Sequence, residues 1–141
     1  MDNTNKINSI DIKLLRLSLG IIYLWFGVLK FFPDLSPAQQ IAIDTIERLS
    51  FRLISGTTGL LLLAIWEVLL GLGLILGFRH RFLVFMLFIH LLGTFSPLFL
   101  FPTLSFQSYP YGFTLLGQYI VKNLVFVAVA WILWTSEARA N

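Results

Sequence analysis

The chain has 141 residues, of which 57% are hydrophobic and only 12% charged, with a formal net charge of +3 and a mean hydropathy of +0.85. Soluble domains carry about 45–50% apolar and about 25% charged residues, so this balance argues against a soluble enzyme and against a disordered chain. The positive charge forms no basic run, which argues against nucleic acid as a partner, and the lack of cysteine excludes disulfides, Cys-ligated metal and thiol redox chemistry on this chain.

A transmembrane helix needs about 20 mostly apolar residues. Four segments meet that length, at residues 14–32, 57–77, 82–101 and 117–134, in a single membrane domain covering 1–141. The first apolar run exceeds the roughly 7–15 residues of a signal-peptide core, and no small-x-small cleavage site follows it, so it reads as an anchor. Between the first two spans, Ser36-Pro37-Ala38-Gln39 has the pattern of a capping box with Pro at the first helical position. Ala42, Ile46, Leu49 and Leu53 follow at helical spacing, Asp44 and Arg48 stand four apart, and Gly56 supplies a C-terminal stop. This predicts an amphipathic helix over about 37–55, lying on the outer membrane face as a lid or a docking surface.

Phe78-Arg79-His80-Arg81 forms a tight basic turn into the third span, where Pro97 predicts a kink. Residues 102–116 read as an aromatic-rich loop before the fourth span. Trp131 and Trp134 at one end, with Tyr109, Tyr111 and Tyr119 at the other, fit interfacial belts or an aromatic wall for a ligand. Four spans place Lys6, Lys13, Arg16, Arg79, Arg81 and Arg139 on one side, against Lys30, Arg48, Arg52 and Lys122 on the other. The second group is diluted by Asp34, Asp44 and Glu47. By the positive-inside rule both termini are cytoplasmic. The predicted fold is an all-α integral membrane four-helix bundle, multi-pass in the inner membrane, with the amphipathic helix in its first extracytoplasmic loop.

Ionisable groups inside a bilayer are costly, so they face the bundle interior and find partners. Glu67 stands at the middle of its span, with Ala64 and Gly71 on the same face leaving room for another helix. Lys122, roughly 7–8 Å deep in the fourth span, is the expected partner, while Lys30 near the outer end of the first is expected to snorkel outward. Arg16, Gly20, Tyr23, Gly27 and Lys30 form one stripe on the first span; His90 and Thr94 share a face on the third; Gln118 and Lys122 share one on the fourth, with Asn123 beside it. Burial and a cationic partner act oppositely on the charge of Glu67, and a ligand site and a packing contact both remain open for it. His90 reads chiefly as a hydrogen-bonded helix contact. His80 and His90 lie roughly 15 Å apart along one helix and cannot share one haem iron within the chain; no metal cluster is visible. The Gly71-Leu72-Gly73 stretch follows no strand, which excludes a phosphate loop.

Taken together, Leu15-Arg16-Leu17-Ser18-Leu19, Trp25-Phe26-Gly27-Val28-Leu29-Lys30-Phe31, Glu67-Val68-Leu69-Leu70-Gly71, Phe95-Ser96-Pro97-Leu98, Gly117 and Val121-Lys122-Asn123-Leu124 resemble the DoxX-like membrane family. Within it they resemble the branch associated with reactive-chlorine resistance. The resemblance implies a compact four-helix bundle with Arg16, Lys30, Glu67 and Lys122 lining an inner cavity. It also implies a link to quinone-dependent oxidation, since some relatives are subunits of a thiosulfate–quinone oxidoreductase and others join oxidative-stress complexes. Asn123 stands where many relatives carry an acid, which counts against a relay needing a second carboxylate.

The leading reading is an accessory membrane subunit, with no cofactor of its own, whose polar cavity holds a quinone or a lipid headgroup and serves a redox partner. The alternative is a scaffold or assembly factor for another membrane protein, and homo-oligomerisation is open to both. Small transporters rank third, because neither an inverted repeat nor a pair of broken helices is visible. Catalytic residues are unknown, and any reactive atoms must come from a quinone or a partner.

Overall fold

A computed structural model describes residues 9–32, 35–36, 38–78 and 81–138. It contains four helices long and apolar enough to cross a membrane, at Ile10–Leu29, Gly56–Leu76, Arg81–Leu100 and Leu115–Ser136. In chain order the elements are α1 (Ser9–Leu29), α2 (Gln39–Leu49), α3 (Gly56–Leu76), α4 (Arg81–Phe95), α5 (Pro97–Leu100) and α6 (Pro102–Ser105). A two-stranded hairpin, β1 (Phe106–Ser108) and β2 (Gly112–Phe113), then leads to α7 (Leu115–Lys122) and α8 (Leu124–Ala138). The spans pack as a ring, α1 against α3 and α8, and α4 against α3 and α8. Leu19, Leu70, Leu74, Leu87, Leu91 and Leu133 fill its centre.

The closest crossing is made by glycine. A Cβ on Gly71 would stand 2.5 Å from the Leu24 nitrogen and 2.8 Å from the Gly20 carbonyl oxygen, and one on Gly27 would stand 2.9 Å from the Glu67 Cβ. Helices in lipid gain little from burying apolar side chains against one another, so small residues that bring backbones together decide which faces meet. The crossing also staggers the pair, setting Gly27, near the end of α1, beside Glu67 in the middle of α3.

The first loop differs from its sequence reading. Its helix covers Gln39–Leu49, shorter than 37–55, and its N-cap Ala38 makes no side-chain bond; Pro37 lies outside the described residues. The chain leaves the helix because Phe51 and Arg52 take left-handed backbone conformations, φ 53° and 63°, with the Arg52 N–H on the Glu47 carbonyl at 2.7 Å. Gly56 accordingly opens α3, with its N–H held by Glu47 Oε1 at 2.8 Å. Ile46 packs on Gly59, whereas Leu49 and Leu53 of the same apolar set are exposed. The expected Asp44–Arg48 pair is replaced: Asp44 accepts from Gln40 at 2.8 Å, and Arg48 lies over the Phe101 ring.

Two spans are interrupted, although no pair of broken helices is visible in the sequence. Pro97 has no N–H to continue the α4 ladder, and Ser96 stands between α4 and α5. At Asn123 the N–H closes on the Ile120 carbonyl, three residues back, at 3.1 Å, and the side-chain amide donates to the Tyr119 carbonyl at 3.2 Å. That tighter turn separates α7 from α8. The stretch expected as a loop is ordered: Phe106 pairs with Phe113 across the hairpin, and Thr114 caps α7 by accepting the Gly117 N–H at 3.1 Å while donating to the Leu104 carbonyl at 2.6 Å.

Candidate functional site

The interior stripe of α1 carries Tyr23 and Lys30 to the face of α3 that holds Glu67, and α4 brings His90 to the same place. Lys30 Nζ donates to Glu67 Oε2 at 2.5 Å, with both side chains nearly buried at 9% and 8% exposure. The other carboxylate oxygen, Oε1, lies 3.0 Å from His90 Nε2. The remaining ring nitrogen, Nδ1, lies 3.1 Å from the Tyr23 hydroxyl and 3.4 Å from the Thr94 hydroxyl. Assigning the ring proton to Nε2 satisfies both sides: Nε2–H donates to the carboxylate, and Nδ1 accepts from Tyr23. Lys30 also donates to the Phe26 carbonyl at 3.3 Å. The result is a continuous line, Tyr23–His90–Glu67–Lys30, that joins the middle of α3 and α4 to the C-terminal end of α1.

Aromatic rings surround the Tyr23–His90 end of the line. Tyr23 and Trp66 meet the His90 ring edge to face, with centroids 5.0 Å and 6.0 Å away, and Phe126 of α8 lies 6.3 Å from the Tyr23 ring. An apolar surround strengthens these hydrogen bonds and raises the cost of leaving any of them unmade. The line offers oxygen and nitrogen donors and one carboxylate, a set able to hold a polar head group; no group of three metal-binding side chains occurs among the described residues.

Of the candidates drawn from the sequence, Tyr23, Lys30, Glu67 and His90 come together, and Arg16, Gln118, Lys122 and Asn123 do not. Lys122 is exposed, with its ammonium 5.3 Å from the Tyr119 ring centre, so the expected Glu67–Lys122 contact is absent. Gln118 is exposed, Asn123 bonds its own helix, and Arg16 sits against Gly77. Lys30 turns inward, contrary to the outward snorkelling expected of it, because the stagger of α1 against α3 sets Gly27 beside Glu67, three residues before Lys30 and within reach of its long side chain. The stripe already held that signal: Gly20, Tyr23 and Gly27, on the same face as Lys30, are all buried. Depth counted from each span's own boundary carries no information on the stagger between two helices. Among the aromatics, Trp131, Tyr109, Tyr111 and Tyr119 are exposed, while Trp134 packs under Arg81.

A DoxX family model matches residues 12–102, more than half of the chain. The protein belongs to the DoxX family. Comparisons with curated proteins and with solved structures returned no match. The matched stretch runs from α1 through α5 and contains all four members of the polar line, whereas Gln118, Lys122 and Asn123 lie beyond it. In this DoxX protein the family segment alone therefore supplies the Glu67 cluster, and α8 contributes the apolar wall.

Proposed function

We propose that this DoxX-family membrane protein is an accessory subunit whose Tyr23–His90–Glu67–Lys30 line holds the polar head of a quinone-type ligand for a redox or stress-response partner. The observation that carries the reading is the unbroken line of hydrogen-bonding groups through Glu67 at the middle of α3, with aromatic rings around its Tyr23–His90 end. Carbonyl oxygens need N–H or O–H donors, and the Lys30 ammonium has three N–H groups against two acceptors among the described residues, while Tyr23 and His90 fix the carboxylate that orients it. Trp66 and Phe126 add flat apolar surface of the kind that cofactor pockets use. A bound quinone supplies the electron-accepting chemistry that the side chains lack; the chain's part is to orient it and exclude water. The same proposal includes the branch linked to reactive-chlorine resistance, an inner-membrane location, both termini in the cytoplasm and α2 on the opposite face.

Native mass spectrometry of the protein, extracted gently from its own membranes, tests this. The expected result is a quinone-sized adduct that Glu67→Gln and Lys30→Met both lose while the bundle stays folded. A stoichiometric second polypeptide with no small molecule overturns it in favour of a scaffold, with Glu67 as a packing residue.

A further inference from the structure

Arg16 heads the interior stripe of α1 but stands apart from the Glu67 line. Its guanidinium lies on Gly77, where a Cβ would be 2.9 Å from Nη2 and 3.2 Å from Cζ. Gly77 is ten residues beyond Glu67, or roughly 15 Å along the helix direction, so Arg16 marks the other end of α3. The turn there does not need it. Gly77 has φ +79°, and the N–H groups of Gly77 and Phe78 close on the Leu74 and Gly73 carbonyls at 3.3 Å and 3.0 Å, a complete Schellman motif.

Arg16 Nε is buried and has no hydrogen-bond partner among the described residues, and neither salt bridge among them includes Arg16. A guanidinium stays charged and presents a planar fork of donors suited to carboxylate or phosphate. Leaving a buried donor of this kind unpaired is costly. Three of the described acids have partners other than Arg16: Asp44 holds Gln40, Glu47 holds Gly56 and Glu67 holds Lys30 and His90. Among the described residues no side chain therefore meets Arg16 Nε, which leaves it open to an acceptor from outside the chain.

Its chemistry can be read from the surroundings. Arg81, at the start of α4 and four residues after Gly77, sits 4.7 Å over the Trp134 ring centre, adding a second guanidinium at this end. Leu14, Leu17, Leu76, Phe78 and Phe82 are all exposed around the same end, which suits an anion carrying hydrocarbon rather than a free ion. The end of the α3 span is also the depth at which lipid headgroups meet the protein. We propose that Arg16, with Arg81, binds the phosphodiester headgroup of an anionic phospholipid where α3 gives way to α4. Basic groups between spans are a recognised way of holding such headgroups, and this site is independent of the Glu67 line.

The test titrates the full chain in detergent with phosphatidylglycerol and with phosphatidylcholine of the same acyl chains, counting adducts by native mass spectrometry. Wild type is expected to prefer phosphatidylglycerol, and Arg16→Gln to bind it about tenfold more weakly, the size of one lost charge-assisted bond. Gly77→Ala, which displaces the guanidinium without changing the net charge, is expected to weaken binding likewise and carries the test if Arg16→Gln fails to fold. Arg52→Gln, an exposed cation in the first loop, should bind as wild type does. Unchanged phosphatidylglycerol binding in both Arg16→Gln and Gly77→Ala overturns the proposal. Displacement of the lipid by an equal concentration of inorganic phosphate also overturns it, by assigning the site to a free anion.

Discussion

Along α1 and α3, Tyr23, Lys30 and Glu67 turn inward and bond one another or His90. Along α7 and α8, Gln118 and Lys122 are exposed, and Asn123 bonds its own helix. The two regions are alike in composition, each a mostly apolar span with a few polar residues at helical spacing. What separates them is backbone approach. Gly20, Gly27 and Gly71 bring α1 and α3 close enough for a lysine on one to reach a carboxylate on the other. Glycine in α7 serves another purpose, since Gly117 fits beneath the Ser105 carbonyl at the end of α6 and against the Phe113 ring of the hairpin. In a bilayer, then, a polar residue's role follows from the small residues beside it more than from its own depth.

Removing the centre of the close pair should have the largest effect. Glu67→Ala leaves Lys30 nearly buried without its counter-charge and His90 without its acceptor. Breaking one side of a buried ion pair costs about 3–5 kcal/mol, so its thermal unfolding in detergent is expected far below that of wild type. Adding Lys30→Met to it should restore part of the loss, because the stranded charge is then gone. If Glu67→Ala melts with wild type, the line contributes nothing to the fold.

The glycines permit a sharper contrast at smaller cost. Gly71→Ala places a methyl group within 2.5 Å of the Leu24 nitrogen, where neither backbone can yield without opening the crossing. Overpacking of this kind costs about 1–3 kcal/mol. Gly93, in α4, has nothing within 4 Å of its Cβ position. Gly93→Ala should therefore gain the roughly 0.5–1 kcal/mol that alanine gains over glycine in a helix. Opposite signs for one chemical change, read from unfolding midpoints, are the expected outcome; equal signs would refute close approach as the organising feature.

That contrast also explains what was legible in the sequence. Span number, the interior stripe on α1, the mid-span position of Glu67 and the small residues at 64 and 71 all follow from spacing within one helix. Spacing within a helix is a property of sequence. The pairing of Lys30 with Glu67 depends on the stagger between two helices, which is fixed by contacts of Gly27 and Gly71 with residues some 40 or more positions away, so no local pattern reports it. The turn at Phe51 and Arg52 was hidden for a different reason. Neither residue favours a left-handed backbone, and tertiary packing imposes what local preference opposes. The hairpin at 106–113 escaped because its aromatic run carries no period-2 alternation to distinguish it from a loop.

The smallest effect tests the other half of the comparison. Lys122 was the partner expected for Glu67 from depth alone, and its ammonium instead lies over Tyr119 on its own helix. A cation over an exposed ring contributes about 0.5–1 kcal/mol at most, and a surface change of this kind usually stays within about 0.5 kcal/mol. Lys122→Met keeps the length of the side chain and its apolar stem, so it removes only the charge. The expected result is an unfolding midpoint close to wild type, and additivity when it is combined with Glu67→Ala, since residues that share no partner do not couple. A loss of several kcal/mol, or strong coupling to Glu67, would mean that Lys122 reaches the carboxylate in the membrane and that the inward and outward faces of the bundle are exchanged there.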